Sequence, residues 1–289
     1  MNSLLTPAVA GLSAGGAYAI LGVCAIFTYR LVAVVNFTGA AIGAAGTFVM
    51  VALTEHSMPL FPAVIIGILA GALVGMAIGG VMTKWFSGAS ATTKAAVTAA
   101  LLVGIIALGL RLTGGQRPHL FPDLVSGSAF RFAGVEVTWG SVLTVTLAVG
   151  LTIASDLFLA RTRTGLQMRA LSERPMAAEL IGIRVRVLAL AVWGIMGAVT
   201  AFAMMIIAPL RSPDFMSLSL LVVPALAAAL IGAFRSFRAA LLGGVLIGIV
   251  EGMVSALEFG ARFRGVVPFL VILIVLLWSQ RGARWDAAR

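Results

Sequence analysis

Few residues in this chain could do chemistry, and the sharpest of them is Glu251. It sits in "GVLIGIVEGMVSALEFG", flanked by Gly248 and Gly252 in an apolar run. A carboxylate in such a run is costly and must face a protein interior or water. Glu251 is therefore a pathway or gate residue, a hydrogen-bonded pin between helices, or a protonated packing acid. The second anomaly is Asn36, with Thr38, Gly39 and Gly43 close by. Its amide needs partners too, and two readings stand: a packing bond between helices, or the lining of a cavity where the helix breaks and frees backbone groups. Asn36, Thr38, Gly39 and Glu251 are the candidate pathway residues.

Other chemistry is not expected. The two histidines, His56 and His119, and the lone Cys24 provide no ligand pair at metal spacing. There is no G-x-x-x-x-G-K-[ST] loop, and the only lysines are Lys84 and Lys94. The chain is thus not expected to bind a cofactor or to hydrolyse ATP itself. A membrane enzyme would want a His/Glu metal cluster, a Ser/Lys or Asp pair, or an Asp-rich phosphate site, and none is present. Catalytic residues are expected to be none.

The elements holding these residues must be membrane helices. Hydrophobic residues make up 61% of the 289 and charged residues only 10%; the mean hydropathy is +1.11. A soluble domain carries roughly a quarter of its residues charged, so this surface must face lipid. Thirty-three glycines suit helices packed closely there. The expectation is an all-α polytopic membrane protein, one transmembrane domain over 1–289. Its candidate spans are Ala8–Tyr29, Leu31–Leu53, Leu60–Thr83, Ala95–Leu112, Ser141–Ala160, Leu188–Pro209, Leu218–Ala233, Ala239–Leu257 and Val266–Gln280. Leu31–Leu53 carries Asn36 and reads as broken or re-entrant; Leu218–Ala233 is short and contains Pro224. Roughly eight or nine crossings result. The external segment 112–140 is punctuated by Pro, Gly and Ser and could form short strands or a small plug. Asp156 reads as a local charge pair with Arg161. Trp85, Trp139, Trp278 and Trp285 fall at span ends as interface anchors, and Trp193 packs inside.

The net charge of +10 does not point to nucleic acid, because the basic residues are spread around span ends. With nine spans starting outside, Arg30, Lys84, Lys94, Arg161, Arg163, Arg169, Arg174, Arg184, Arg186, Arg235, Arg238, Arg281, Arg284 and Arg289 fall inside, 14 of the 20. That bias predicts the N-terminus outside, the C-terminus in the cytoplasm and segment 161–187 in the cytoplasm. Within that segment, Pro175 suits a first helical position and Gly182 the position just past an end. Pro175–Ile181 is then a helix of about two turns. Ala177, Leu180 and Ile181 share a face, with Glu173 and Glu179 around it. So short a helix needs a partner to pack against. Either it is a solvated basic loop or it docks on a soluble protein. Glu173, Pro175, Ala177, Ala178, Glu179, Leu180, Ile181 and Gly182 are the candidate docking residues.

"TRTGLQMRALSERPMAAELIGIRVRVLAL" resembles the coupling loop of ABC-transporter permeases for branched-chain amino acids. "GLSAGGAYAILGVCAIFTYRLVAVVNFTGAAIGAAG" is similar to that family's N-terminal pair of segments. "VVPALAAALIGAFRSFRAALLGGVLIGIVEGMVSAL" is similar to its late segment with an embedded Glu. Two places depart. The family commonly has Asn-Phe-Ala-His-Gly where this chain has Asn36-Phe37-Thr38-Gly39-Ala40, and Leu-Gly-Gly-Ile-Gly-Ser near Leu230–Ser236. The resemblance implies an ABC importer's permease subunit in the inner membrane, carrying a small polar solute. It also implies a related second permease or a second copy, two cytoplasmic ATPases that hold the ATP, and an external binding protein. The contrasting expectation is an ion-coupled secondary transporter, for which Glu251 alone provides little machinery.

Overall fold

The structure is a computed structural model that describes residues 2–32, 34–117, 119–125, 127–132, 135–173, 184–210, 214–257 and 263–286. The chain opens with α1 (Asn2–Val32), α2 (Gly39–Glu55), α3 (Leu60–Trp85) and α4 (Ala91–Leu112). A two-stranded antiparallel hairpin follows, β1 (Ser128–Phe132) and β2 (Val135–Thr138). Then come α5 (Trp139–Arg161), α6 (Arg163–Glu173) and α7 (Val185–Ile207). The last helices are α8 (Phe215–Ser219), α9 (Val222–Ile231), α10 (Phe237–Ser255) and α11 (Val267–Asp286). The protein is an all-α polytopic membrane protein with one small hairpin.

Nine apolar segments are found among the described residues, as the sequence predicts, but they are unequal. Six helices have the length to cross a bilayer; Gly39–Glu55, Phe215–Ile231 and Val267–Trp278 are shorter. Both weak spans are interrupted. Residues 34–38 are not helical, so the first two spans are separated there. The seventh breaks between α8 and α9. Pro224 is the third residue of α9 and has no N–H to give to Leu220, which favours the break just before it.

Burial sorts the spans. The apolar window of α1 is 72% buried and that of α7 is 67%, against 11% for α4. α1 and α7 are thus the interior posts, while α3, α4 and α11 turn Leu69, Leu73, Val103, Leu108, Leu273 and Leu277 outward. In water such a surface would be untenable; in lipid it is the ordinary exterior. Trp85 and Trp139 are exposed at the ends of α3 and α5, and Trp193 is buried inside.

Caps are local. Ser90, Thr138, Asp214 and Ser236 each accept from the backbone N–H three residues on, satisfying a first-turn donor that would otherwise be orphaned. Between α9 and α10, Ala233 and Phe234 both take positive φ, 47° and 52°. Two left-handed non-glycine residues in succession cost energy, and the turn is held by Phe234 N–H donating to Ala229 at 3.0 Å and by Phe234 packing on Tyr29.

Candidate functional site

α1 organises the site because its small residues admit another backbone. Gly11 and Gly15 meet Gly244, Gly248 and Gly252 of α10. A Cβ on Gly11 would collide with the Gly248 carbonyl, and a Cβ on Gly248 with the backbone of Gly15. At this closeness side chains cannot intervene. Across this seam two polar side chains also meet. Tyr18 Oη–H donates to Glu251 Oε2 at 2.7 Å, across 233 residues of sequence. Both are buried. Tyr18 is the partner that the sequence did not reveal for Glu251.

Beside this pair lies a cavity of about 290 Å³ between the first half of α1 and the second half of α10. Its polar lining is Glu251, Ser13, Ser255 and Thr138, and the rest is small or aliphatic, including Ala10 and Ile207. Ser13 is buried and its hydroxyl has no hydrogen-bond partner. Thr138 ends β2, caps α5 and lines this cavity at once. β2 buries Val135 and Val137 and exposes Glu136 and Thr138, so the segment takes the short-strand form of the two expected and rests one face of the hairpin on the bundle at this end.

Asn36 and Thr38 occupy a different place. Asn36 Oδ1 accepts from the Thr38 N–H at 2.9 Å and from the Thr38 hydroxyl at 2.7 Å. This is a local turn, and not the inter-helix packing bond that was one reading of the amide. The bond between elements is made by Thr98 of α4, whose hydroxyl donates to the Val35 carbonyl at 2.8 Å. Asn36 and Gly39 line a small cavity of about 20 Å³ with Thr28, Thr200 and Trp193, room for one water. Trp193, one of its lining residues, has an indole N–H that is buried without a partner. The structure therefore does not gather the four candidate residues into one site. Asn36, Thr38 and Gly39 stand at the α1–α2 break, and Glu251 stands at the α1–α10 seam.

At the end of the bundle where α1 finishes, Arg30 donates to the Arg235 carbonyl at 3.4 Å and lies over the Phe237 ring. Asp156 pairs with Arg238 of α10 at 3.2 Å, which corrects the expected pairing with Arg161. Five residues along a helix carry a side chain about 140° round the axis, so Arg161 projects from another face. α6 folds back tightly on α5, with Gly165 against the Phe158 carbonyl. This basic stretch is helical, which its charge-rich pattern did not foretell. Of the proposed docking residues, Glu173 ends α6, whereas Pro175, Ala177, Ala178, Glu179, Leu180, Ile181 and Gly182 lie outside the described residues.

At the opposite end, the segment after α4 is fastened by His119. Its Nδ1 is 3.1 Å from Glu55 Oε1 and its Nε2 is 3.0 Å from the Thr113 carbonyl. Both ring nitrogens face acceptors, which only the imidazolium satisfies with two N–H groups. The hydrogen bond to Glu55 raises the His119 pKa above its ordinary value, the Thr113 carbonyl adds to this, and partial burial opposes it.

Comparison with known proteins accords with this architecture. A chain of PsaBC from Streptococcus pneumoniae, solved in complex with Fab, superposes with a TM-score of 0.50 at 16% identity, covering 96% of this chain and 91% of that one. The high-affinity branched-chain amino acid transport system permease protein BraD of Pseudomonas aeruginosa is 23% identical over 95% of this chain and 93% of its own length. The probable branched-chain amino acid transport permease protein LivH of Methanocaldococcus jannaschii is 27% identical over 89% of this chain and 86% of its own. The family model for the permease component of branched-chain amino acid transport systems matches residues 8–276. Through that match over residues 8–276, this chain belongs to that permease family.

Proposed function

We propose that the chain is the permease subunit of an ABC importer and forms, as one transmembrane domain, the pathway for a branched-chain amino acid or a solute of like size. The observation that carries this is the family match along residues 8–276, within which a cavity of the bundle is lined by the buried Glu251 and by Ser13, Thr138 and Ser255. The cargo follows from the names of the relatives, which are branched-chain amino acid permeases. ATP is hydrolysed by two separate cytoplasmic subunits; a second permease, related or identical, completes the pathway, and an external binding protein delivers the solute.

In this reading the protein lies in the inner membrane with its N-terminus outside and its C-terminus in the cytoplasm. The Lys/Arg bias supports that orientation, as does the clustering of Arg30, Arg235, Arg238 and α6 at one end of the bundle. Segment 161–187 then faces the ATPases, and Pro175–Ile181 seats against one of them, with Ala177, Leu180 and Ile181 buried. Closure of the ATPases pushes this segment, which adjoins α1 and α5 through α6.

The test is reconstitution in vesicles with the ATPases and binding protein. Leucine uptake should require ATP; uptake by this chain alone, driven by an ion gradient, would assign it to secondary transport. In a Cys24→Ser background, Ser172→Cys should resist an impermeant thiol reagent in intact cells. Labelling from outside reverses the orientation. Ala178→Trp and Gly182→Pro should each uncouple ATP hydrolysis from uptake while leaving the membrane domain folded, and unchanged transport in both would reduce the segment to a solvated loop.

A further inference from the structure

We propose that the groove between α5 and α7 seats an anionic phospholipid, with an acyl chain along its apolar walls and the headgroup phosphate on arginines at its basic end. This goes beyond the transport reading and does not depend on the cargo. The groove has a volume of about 600 Å³. Leu147, Gly150 and Ala154 of α5 form one wall, Val199 and Phe202 of α7 the other, and the buried Ile20 of α1 lies at the base. Glycines at the α1–α10 seam admit a neighbouring backbone, but a Cβ on Gly150 would meet nothing within 4 Å. No described part of this chain fills the space beside it.

Helical geometry leads both walls to arginines. Gly150 and Arg161 are eleven residues apart on α5, close to three turns, so they share a face with Ala154 between them. Arg184, the N-cap of α7, precedes Phe202 by eighteen residues, which is five turns and again one face. Phe158 and Leu159 of α5 join Leu188 and Val192 of α7 in one apolar cluster, so the two arginines stand at the same end of the bundle. Arg163 and Arg186 adjoin them, and all four are exposed. Among the described residues none of the four is in an ion pair. Segment 161–186 carries six arginines against Glu173 and Glu179, so it remains basic however those two acids pair. The depth also fits. Eleven residues make about 16 Å of helix, about half of a hydrocarbon core of roughly 30 Å. A lipid whose phosphate meets Arg161 therefore ends its chain near Gly150. Leu166 and Val187 are exposed among these arginines, a mixture that suits the boundary between headgroups and chains. A second copy of this chain suits the groove less well. Two copies in one membrane stand the same way up, and a twofold axis would set these arginines against their own equivalents.

The experiment titrates lipid onto the purified permease complex in mild detergent and counts bound lipid by native mass spectrometry. The probes are phosphatidylglycerol and phosphatidylcholine with the same oleoyl chains, and dihexanoyl phosphatidylglycerol, which keeps the headgroup on chains too short to reach Gly150. Dioleoyl phosphatidylglycerol should bind at least about fivefold more tightly than either of the others, since it alone meets both the arginines and the groove. Arg161→Gln and Arg184→Gln should each weaken it about fivefold, the worth of one basic residue beside an anionic headgroup, and leave phosphatidylcholine unchanged. Gly150→Leu enters open space, so the fold should stand. By displacing about two methylenes it should weaken the dioleoyl lipid roughly tenfold and spare the dihexanoyl one. Equal binding of phosphatidylcholine overturns the headgroup site. Equal binding of the dihexanoyl lipid, or no effect of Gly150→Leu, overturns the groove. In a Cys24→Ser background, cross-linking of Gly150→Cys to a second permease in native membranes would give the groove to a helix and overturn the lipid site.

Discussion

The two polar inclusions in this bundle solve one problem in opposite ways. At the α1–α2 break, Asn36 finds its partner two residues away in Thr38, so the turn satisfies itself before any helix packs on it. At the α1–α10 seam, Glu251 finds Tyr18 from the other end of the chain, so this bond exists only when α1 and α10 are docked. The first is a property of a three-residue stretch, and the second a property of the fold. Damage at the break should remain local, whereas damage at the seam should propagate.

The largest expected effect tests the seam itself. Gly248→Leu forces a side chain into the backbone of α1, and overpacking of this kind costs about 3 kcal/mol where nothing can yield. Loss of the folded permease on detergent gel filtration is expected; a normal elution profile would mean that α1 and α10 are not in backbone contact. Next comes Tyr18→Phe, which removes the donor to a buried carboxylate and should cost about 1–3 kcal/mol. Combining it with Glu251→Gln should give less than the sum of the two single losses in thermal stability, since the pair is then removed together. Strict additivity would mean that the two side chains do not interact.

A smaller effect is expected at the break. Asn36→Ala strands the Thr38 donors and should cost about 1 kcal/mol, while Asn36→Asp retains the acceptor beside the positive end of α2 and should recover most of it. Failure of aspartate to recover more than alanine would contradict the turn. Smallest is the His119 latch, outside the bundle interior. Its pKa is raised in the folded protein, so its stabilisation is fully present below the ordinary histidine value and is lost as pH rises through the folded value. The melting temperature should therefore fall slightly from pH 6 to pH 8.5, by an amount equivalent to a few tenths of a kcal/mol, about what partly exposed pairs yield. His119→Gln should flatten that slope; an unchanged slope would place the titration elsewhere.

The same contrast explains what the sequence made legible. Apolar runs long enough to cross lipid announce themselves, and Asn36 and Pro224 mark the two places where helices actually break. Glu251 stood out as a lone acid in an apolar run, yet Tyr18 did not. Helical periodicity says which face of α1 is small, not which helix will lie upon it. Asp156 shows the same limit: a neighbour in sequence was assigned to it, and its partner came from α10. The unpartnered hydroxyl of Ser13 and indole of Trp193 have no signature in one dimension, because lacking a partner is a statement about everything nearby in space.

The glycine seam has a mechanical consequence. Long side chains between helices act as springs, since rotamers yield before backbones move. Between Gly11, Gly15 and their counterparts on α10 there is no such compliance. α1, 31 residues in one helix and about 46 Å from end to end, is therefore a stiff connecting rod clamped along part of its length. A push delivered beside Arg30 arrives at the Glu251 end with little lost to side-chain adjustment on the way.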